Sequence, residues 1–444
     1  MASAAEQLAA NLNFKAFGKA TELKQRIWFT LAALVVYRLG TYVPLPGIDP
    51  VALAQAFDQA QSGLIGLFNV FAGGAVGRMA IFALGIMPYI SASIIVQLLT
   101  TVVPRLEQLK KEGEQGRKQI NQYTRYGTVI LATVQAYGIS VGLESAGTIV
   151  TDPGWFFRFT TVVTLVGGTM FLMWLGEQIT SRGVGNGISL IIFAGIIAEL
   201  PAALAGTLEL GRQGALSTAL IMAVIVMAVV VIAFIVFVER AQRRLLIQYP
   251  RRQVGNRMFQ GDSSHLPLKL NTAGVIPPIF ASSLLLVPAT LTSFGAGGEG
   301  GGVLGTIQAL FGHGQPLYML SYSAMIVFFA FFYTAIVFNP ADTADNLKKH
   351  GGYIPGIRPG ERTAQYIDFV LTRITVVGAI YLVLVCLLPE FLIASTAVPF
   401  YFGGTSLLIV VSVTMDTVAQ VQGHLLAHQY EGLVKKSKLK GKRR

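Results

Sequence analysis

Apolar runs about 20 residues long recur along this chain, and about 30 Å of hydrocarbon demands a helix of that length. They lie near 27–43, 79–103, 123–143, 155–175, 188–206, 217–238, 273–293, 318–338, 368–388 and 401–421. Inside a bilayer the backbone can satisfy its polar groups only within helices or a closed barrel, and runs this long read as helices. Of 444 residues 53% are hydrophobic and 13% charged, about half the charge of an ordinary soluble domain. The expected fold class is an all-α polytopic membrane protein with ten transmembrane helices.

A net charge of +12 invites a nucleic-acid reading, but the distribution of charge gives another cause. All but Arg38, Arg78, Arg158 and Arg212 of the 34 Lys and Arg residues fall in the N-terminal segment, the C-terminal tail and alternate loops with their adjoining helix ends. That is the positive-inside pattern, and it places both termini in the cytoplasm. The first run follows Lys15, Lys19, Lys24 and Arg26 without a small-residue cleavage site, so it reads as an anchor and not a removed signal peptide. The lone Cys386 excludes an intramolecular disulfide and any cysteine-cluster metal site.

Ten spans divide into five and five, and an odd number per half implies an inverted repeat. The expected organisation is a cytoplasmic segment 1–26, a first half 27–206, an extracytoplasmic hinge 207–216, a second half 217–421 with cytoplasmic loops 239–272 and 339–369, and a basic tail 422–444. Corresponding spans do resemble each other. GIMPYISAS (Gly85–Ser93) and GVIPPIFAS (Gly274–Ser282) agree at five of nine positions, and GISLII (Gly187–Ile192) and GTSLLI (Gly404–Ile409) at four of six. Pro88 and Pro277 each remove a helix hydrogen bond, and Pro278 adds a second break. Such breaks serve either as packing kinks or as walls of an internal passage. The alignment pairs Ile90 with Ile279 and Ile192 with Ile409, while Ile86 and Ile188 lie one turn from Ile90 and Ile192. Isoleucines so placed either pack and face lipid or close a pore as a hydrophobic constriction.

Little in the chain carries bond-making chemistry. The spans 79–103, 217–238, 273–293 and 318–338 contain no ionisable residue, which disfavours a proton- or ion-coupled carrier without excluding one. No nucleophile triad, phosphate loop or metal spacing is present, so no cofactor, metal or small-molecule substrate is expected. RGVGNGIS (Arg182–Ser189) imitates a phosphate loop, but a tight turn between two membrane helices is the better reading. LIGLFNVFAGGAVGR (Leu64–Arg78) starts like a span and is broken by Asn69, Gly73, Gly74 and Gly77 within about four turns. The loops 239–272 and 339–369 exceed what a connection needs. LLIQY (Leu245–Tyr249) alternates as a hairpin strand would, and the Pro and Gly punctuation of the second loop suggests shaped turns. Their charge either sets topology alone or forms platforms for an acidic protein face or ribosomal RNA.

Longer motifs carry a resemblance. VPLPGID (Val43–Asp49), FALGIMPYISASI (Phe82–Ile94), KKEGEQGRK (Lys110–Lys118), MWLGEQITSRGVGNGIS (Met173–Ser189), ADNLKKHGGYIPGIRPGERT (Ala344–Thr363) and VPFYFGGTSLLI (Val398–Ile409) are similar to the SecY/Sec61-alpha family of protein-conducting channels. The similarity runs from about Lys15 to Lys436. It implies a protein-translocating, non-enzymatic channel in the bacterial cytoplasmic (inner) membrane. In the family, secreted chains cross a narrow waist, and signal sequences and membrane helices leave sideways through a seam. The family's pore ring falls on Ile86, Ile90, Ile188, Ile192, Ile279 and Ile409. Its plug, a short helix under that ring, falls on residues 64–77, with Leu64, Leu67, Phe68, Asn69, Val70, Phe71, Gly73 and Gly74 as its seat. The lateral gate falls on Ser91, Gln97, Gln135 and Asn271. The two loops become docking sites for the motor SecA and the translating ribosome, through Arg243, Arg244, Arg251, Arg252, Arg257, Lys348, Lys349 and Arg358. SecE and SecG are the implied small partners, with precursor chains and membrane lipid as the other contacts.

Overall fold

The computed structural model of the chain describes residues 21–60, 69–145, 149–214, 217–249, 252–254, 257–259, 263–295, 315–395 and 404–441. Each of the ten apolar runs falls on a helix. In chain order these are α1 (Thr21–Gly40), then after a short α2 (Pro50–Ala60), α3 (Met87–Val102) with its bent continuation α4 (Pro104–Lys111), α5 (Glu114–Ser145), α6 (Trp155–Arg182), α7 (Gly187–Arg212) and α8 (Thr218–Arg240). They continue, beyond a pair of hairpins, with α9 (Ile276–Gly295), α10 (Pro316–Val337), the short α11 (Pro340–Lys349), α12 (Glu361–Ser395) and α13 (Gly404–Gly441). Among the described residues, seven helices are long and apolar enough to cross a membrane, or eight with α3 and α4 counted as one broken span.

Two of the expected runs are cut differently in the structure. The second, expected over 79–103, is helical only from Met87, because Met79 and Gly85 adopt positive φ of 42° and 56° and Pro88 sits in the first turn. At its other end Val103 is extended before Pro104, and α4 leaves α3 at 98°. On exposed α4 the Lys111 ammonium, hydrogen-bonded at 2.7 Å, holds the Glu107 carboxyl below the usual carboxylate range. The fifth run continues as helix through Pro201 to Arg212, so residues 207–212 of the expected hinge 207–216 are helical.

The chain divides into two compact units, Met1–Leu204 with Pro288–Gln308 and Val413–Arg444, and Ala205–Val287 with Ala309–Ser412. In the first, α5 packs on both α3 and α6, and α1 on α6. Small residues make these approaches possible. A β-carbon on Gly40 would overlap the Phe82 ring, and one on Gly168 would overlap the Ile81 carbonyl. Tyr37, Phe82 and Phe171 then stack with centroids 6.2 and 5.9 Å apart. The RGVGNG segment is a joint and not a phosphate loop. Its amides are committed internally, Val184 N–H to Thr30 at 3.0 Å, Gly185 N–H to Gln420 at 2.9 Å and Gly187 N–H to Thr180 at 2.9 Å.

The second unit carries the only strands among the described residues. β1 (Gln242–Gln248) pairs antiparallel with β4 (Ser263–Lys269), and within that loop β2 (Arg252–Val254) pairs with β3 (Arg257–Phe259). The alternation read in LLIQY is this hairpin, with Leu245 and Ile247 buried and Leu246 exposed. In the same unit α10 and α11 pack on α12.

Neighbouring glycines test this packing. Gly168→Ala should lower thermal stability in detergent by about 1–3 kcal/mol through overpacking. Gly167→Ala, which meets nothing within 4 Å, should be neutral or stabilising by up to about 1 kcal/mol. Equal midpoints for the two would remove the close approach of Ile81 from the argument.

Candidate functional site

The first unit brings the broken segment and the start of α3 together. Helical backbone at Asn69–Phe71 ends in a turn whose Gly73 and Gly74 hold φ of 65° and 78°, values that favour glycine. Gly74 N–H donates to the Asn69 carbonyl at 2.9 Å and Gly77 N–H to the Asn69 side-chain oxygen at 2.8 Å, so Asn69 closes the turn on itself. The turn's carbonyls face cations and a phenol. Tyr37 donates to Ala72 O at 3.3 Å, and Arg38 and Arg78 donate to Gly73 O at 2.6 and 3.1 Å. Both guanidiniums lie over the Tyr42 ring, at 4.9 and 4.3 Å from its centroid. A β-carbon on Gly85 would stand 3.9 Å from Ala72, so this turn lies beside the residue that precedes Ile86. Leu64, Leu67 and Phe68 lie outside the described residues; Val70 and Phe71 are buried.

Ile86 and Ile90 are the N-cap and first turn of α3, and Ile188 and Ile192 occupy the first two turns of α7. In each pair the four-residue spacing aligns the side chains on one face. Ile86, Ile90 and Ile192 are buried and Ile188 is half-buried, its side chain near Gly176. In the second unit Ile279 on α9 and Ile409 on α13 are buried as well. The Ile279 carbonyl also accepts from the Ser282 and Ser283 hydroxyls at 3.0 and 2.8 Å. None of the six resembles α8, where Val229 is 61% and Phe237 75% exposed.

The four polar gate candidates divide between the units. Ser91 on α3 is buried, Gln135 on α5 is half-buried, and Gln97 donates to Ser93 at 3.5 Å while its buried Oε1 accepts nothing among the described residues. Asn271 is buried and donates to Glu239 on α8 at 2.7 Å and to Gly274 O at 3.0 Å. It therefore ties the foot of the β-hairpin and the entry to α9 onto the end of α8. Sequence reasoning missed Glu239, although it stands where the apolar run 217–238 stops. Tyr37 and Tyr42 were missed too; Arg38 and Glu199 stand out in the sequence as ionisable residues in or near spans, and Arg38 and Arg78 as arginines outside the basic loops.

The two long loops form one body. Gln248 and Tyr353 exchange backbone hydrogen bonds of 2.9 and 3.0 Å, and Leu245, Leu268, Ile354, Ile367 and Ile374 share a core. From it Arg243, Arg244, Lys348, Lys349 and Arg358 project into the open. Arg358 sits at the tip of a turn between Gly356 and Gly360, with φ of 82° and 108°, and its carbonyl accepts from Thr363 at 2.9 Å. Arg252 and Arg257 lie on β2 and β3; Arg251 falls outside the described residues.

A family model described as SecY matches residues 80–418. The chain belongs to the SecY family. A protein translocase subunit SecY of Escherichia coli strain K12 is 57% identical over 423 residues, spanning 95% of this chain and 96% of its own. The SecY subunit of Pseudomonas aeruginosa is 58% identical over 424 residues, 96% of each chain. The fold matches a solved protein-conducting channel with a TM-score of 0.62 at 18% identity, over 90% of this chain and 92% of that one. It also matches Sec61 of a canine ribosome–channel complex, with a TM-score of 0.60 at 17% identity over the same shares. This SecY chain is accordingly a membrane-embedded helical protein of the channel fold.

The Asn271 pair yields a test. Asn271→Leu removes both donors from Glu239 and Gly274 O and should cost about 1–3 kcal/mol of stability. Thermal unfolding of the purified protein measures it, and an unchanged midpoint would leave the tie to α8 without energetic weight.

Proposed function

We propose that this chain is the channel through which unfolded secretory polypeptides cross the bacterial cytoplasmic membrane and from which signal sequences and transmembrane segments pass sideways into lipid. The observation that carries the reading is the set of isoleucines at the starts of α3 and α7, with Ile86, Ile90 and Ile192 buried and Ile188 half-buried, in opening turns that offer no charge to a small solute. Their repeat partners Ile279 and Ile409 complete the ring. Six branched apolar side chains give a moving polypeptide nothing to bind, yet they fit around it and keep ions out by dewetting. Residues 64–77 act as the plug beneath that ring at rest.

Sideways release follows from partition. A segment sampling lipid through a gate lined by Ser91, Gln97, Gln135 and Asn271 gains several kcal/mol when about 20 of its residues are apolar, and a polar segment loses. Signal recognition is then mainly a reading of hydrophobicity.

The channel makes and breaks no bond itself. Its driving force comes from SecA's ATP hydrolysis, from synthesis on the ribosome, or from the proton-motive force. The joined loop body, with Arg358 at its tip, is the docking surface for SecA and the ribosome; Sec61 solved on a ribosome supports the second of these. SecE and SecG complete the complex, and both termini lie in the cytoplasm.

Reconstitution with SecE, SecG and SecA tests the reading. ATP and an unfolded precursor should yield protease-protected product in proteoliposomes, whereas saturable uptake of a small solute without such product would make the chain a transporter. Ile→Gly changes at several ring positions should raise resting ion conductance several-fold. An unaltered leak would remove the ring from the mechanism.

A further inference from the structure

Four arginines stand apart from the basic loops, and the structure accounts for each. Arg158 pairs with Glu144 at 2.6 Å and Arg212 with Glu209 at 2.7 Å. The other two, Arg38 and Arg78, come from different parts of the chain and meet on one main-chain oxygen, that of Gly73. Arg78 also donates to Thr41 O at 3.3 Å, and Arg38 to the Tyr42 hydroxyl at 2.9 Å, so both guanidiniums are fixed in place.

The acceptor side is equally specific. Gly73 O lies just past the C-terminal end of the helical turn at Asn69–Phe71, where carbonyls lack helix partners and cations are favoured. The turn sits in a notch on α7. A β-carbon on Gly195 would stand 2.8 Å from Phe71 O and 3.2 Å from Gly73 N, and one on Gly74 would run into the Glu199 carboxylate.

We propose that Arg38 and Arg78 are positioning residues that latch the plug: by binding the Gly73 carbonyl they hold segment 69–77 in the Gly195 notch and so set the fraction of resting channels that are sealed. This rests on reading residues 64–77 as the plug. Because the latch grips backbone and not side chains, the plug's own apolar sequence can vary while its closed position stays fixed. Charge-assisted hydrogen bonds are strong enough to hold the turn and few enough to be broken when a chain enters.

The test uses the complex with SecE and SecG in proteoliposomes. The chain's one cysteine is removed as Cys386→Ser, and a reporter is introduced as Ala75→Cys, at a position fully buried in the latched turn. A membrane-impermeant maleimide on the extracytoplasmic side should label this parent slowly. Arg38→Gln or Arg78→Gln should speed labelling about tenfold, the loss of one charge-assisted bond, and raise resting ion conductance. Arg38→Lys, which keeps a cationic donor, should restore most of the protection; a residue needed only for folding would not be rescued in this way. Gly195→Ala, which disturbs the notch without touching a charge, should also speed labelling, and it decides the matter if the glutamine variants fail to assemble. Unchanged labelling in the glutamine variants, or in Gly195→Ala where those cannot be made, overturns the latch. Precursor translocation by the parent is measured alongside. If the parent translocates and labelling does not change, the latch alone falls; if the parent does not translocate, the channel reading falls.

Discussion

Hydrocarbon offers no hydrogen bonds, so a chain that breaks its helices inside a membrane must supply a protein partner for every peptide group it frees. This constraint organises the SecY chain. Residues 72–86 leave the helical path, and their carbonyls and amides are met by Tyr37, Arg38, Arg78 and strand-like contacts such as Leu45 N–H on Met79 O and Ile81 N–H on Val43 O, each 2.9 Å. In the first turn of α9, Pro278 leaves the Gly274 carbonyl without a helix partner, and the Asn271 side chain donates to it at 3.0 Å. Breaks satisfied in this way place apolar residues at helix starts, where two isoleucines four apart can share a face.

The same constraint explains where polar residues are kept. A buried amide or carboxylate in such a protein is costly unless paired, and Asn271 with Glu239 is such a pair. Gln97 is the exception among the described residues, where its buried Oε1 has no hydrogen-bond partner.

Much of this was legible in the sequence. Run length fixed the spans, since thickness and rise per residue leave little freedom, and alternation in LLIQY marked the hairpin because strand pairing has a period of two. The start of α3 was not legible: positive φ at Met79 and Gly85 depends on the pairing of Val43 and Leu45 with residues 79–81, a contact between distant parts of the chain. The convergence of Arg38 and Arg78 was hidden for the same reason, although their departure from the positive-inside pattern marked them as needing an account. The partnership of the two cytoplasmic loops was equally invisible, because Gln248 and Tyr353 meet only once both loops have folded.

The central claim is that a translocating polypeptide touches the isoleucines at these helix starts. A photo-reactive residue placed in turn at positions 90, 192, 279 and 409, with a precursor arrested midway, measures it directly. The account predicts adducts to the precursor from all four positions and none from position 229, on the exposed face of α8. Adducts absent from the four, or equally strong from position 229, would contradict it.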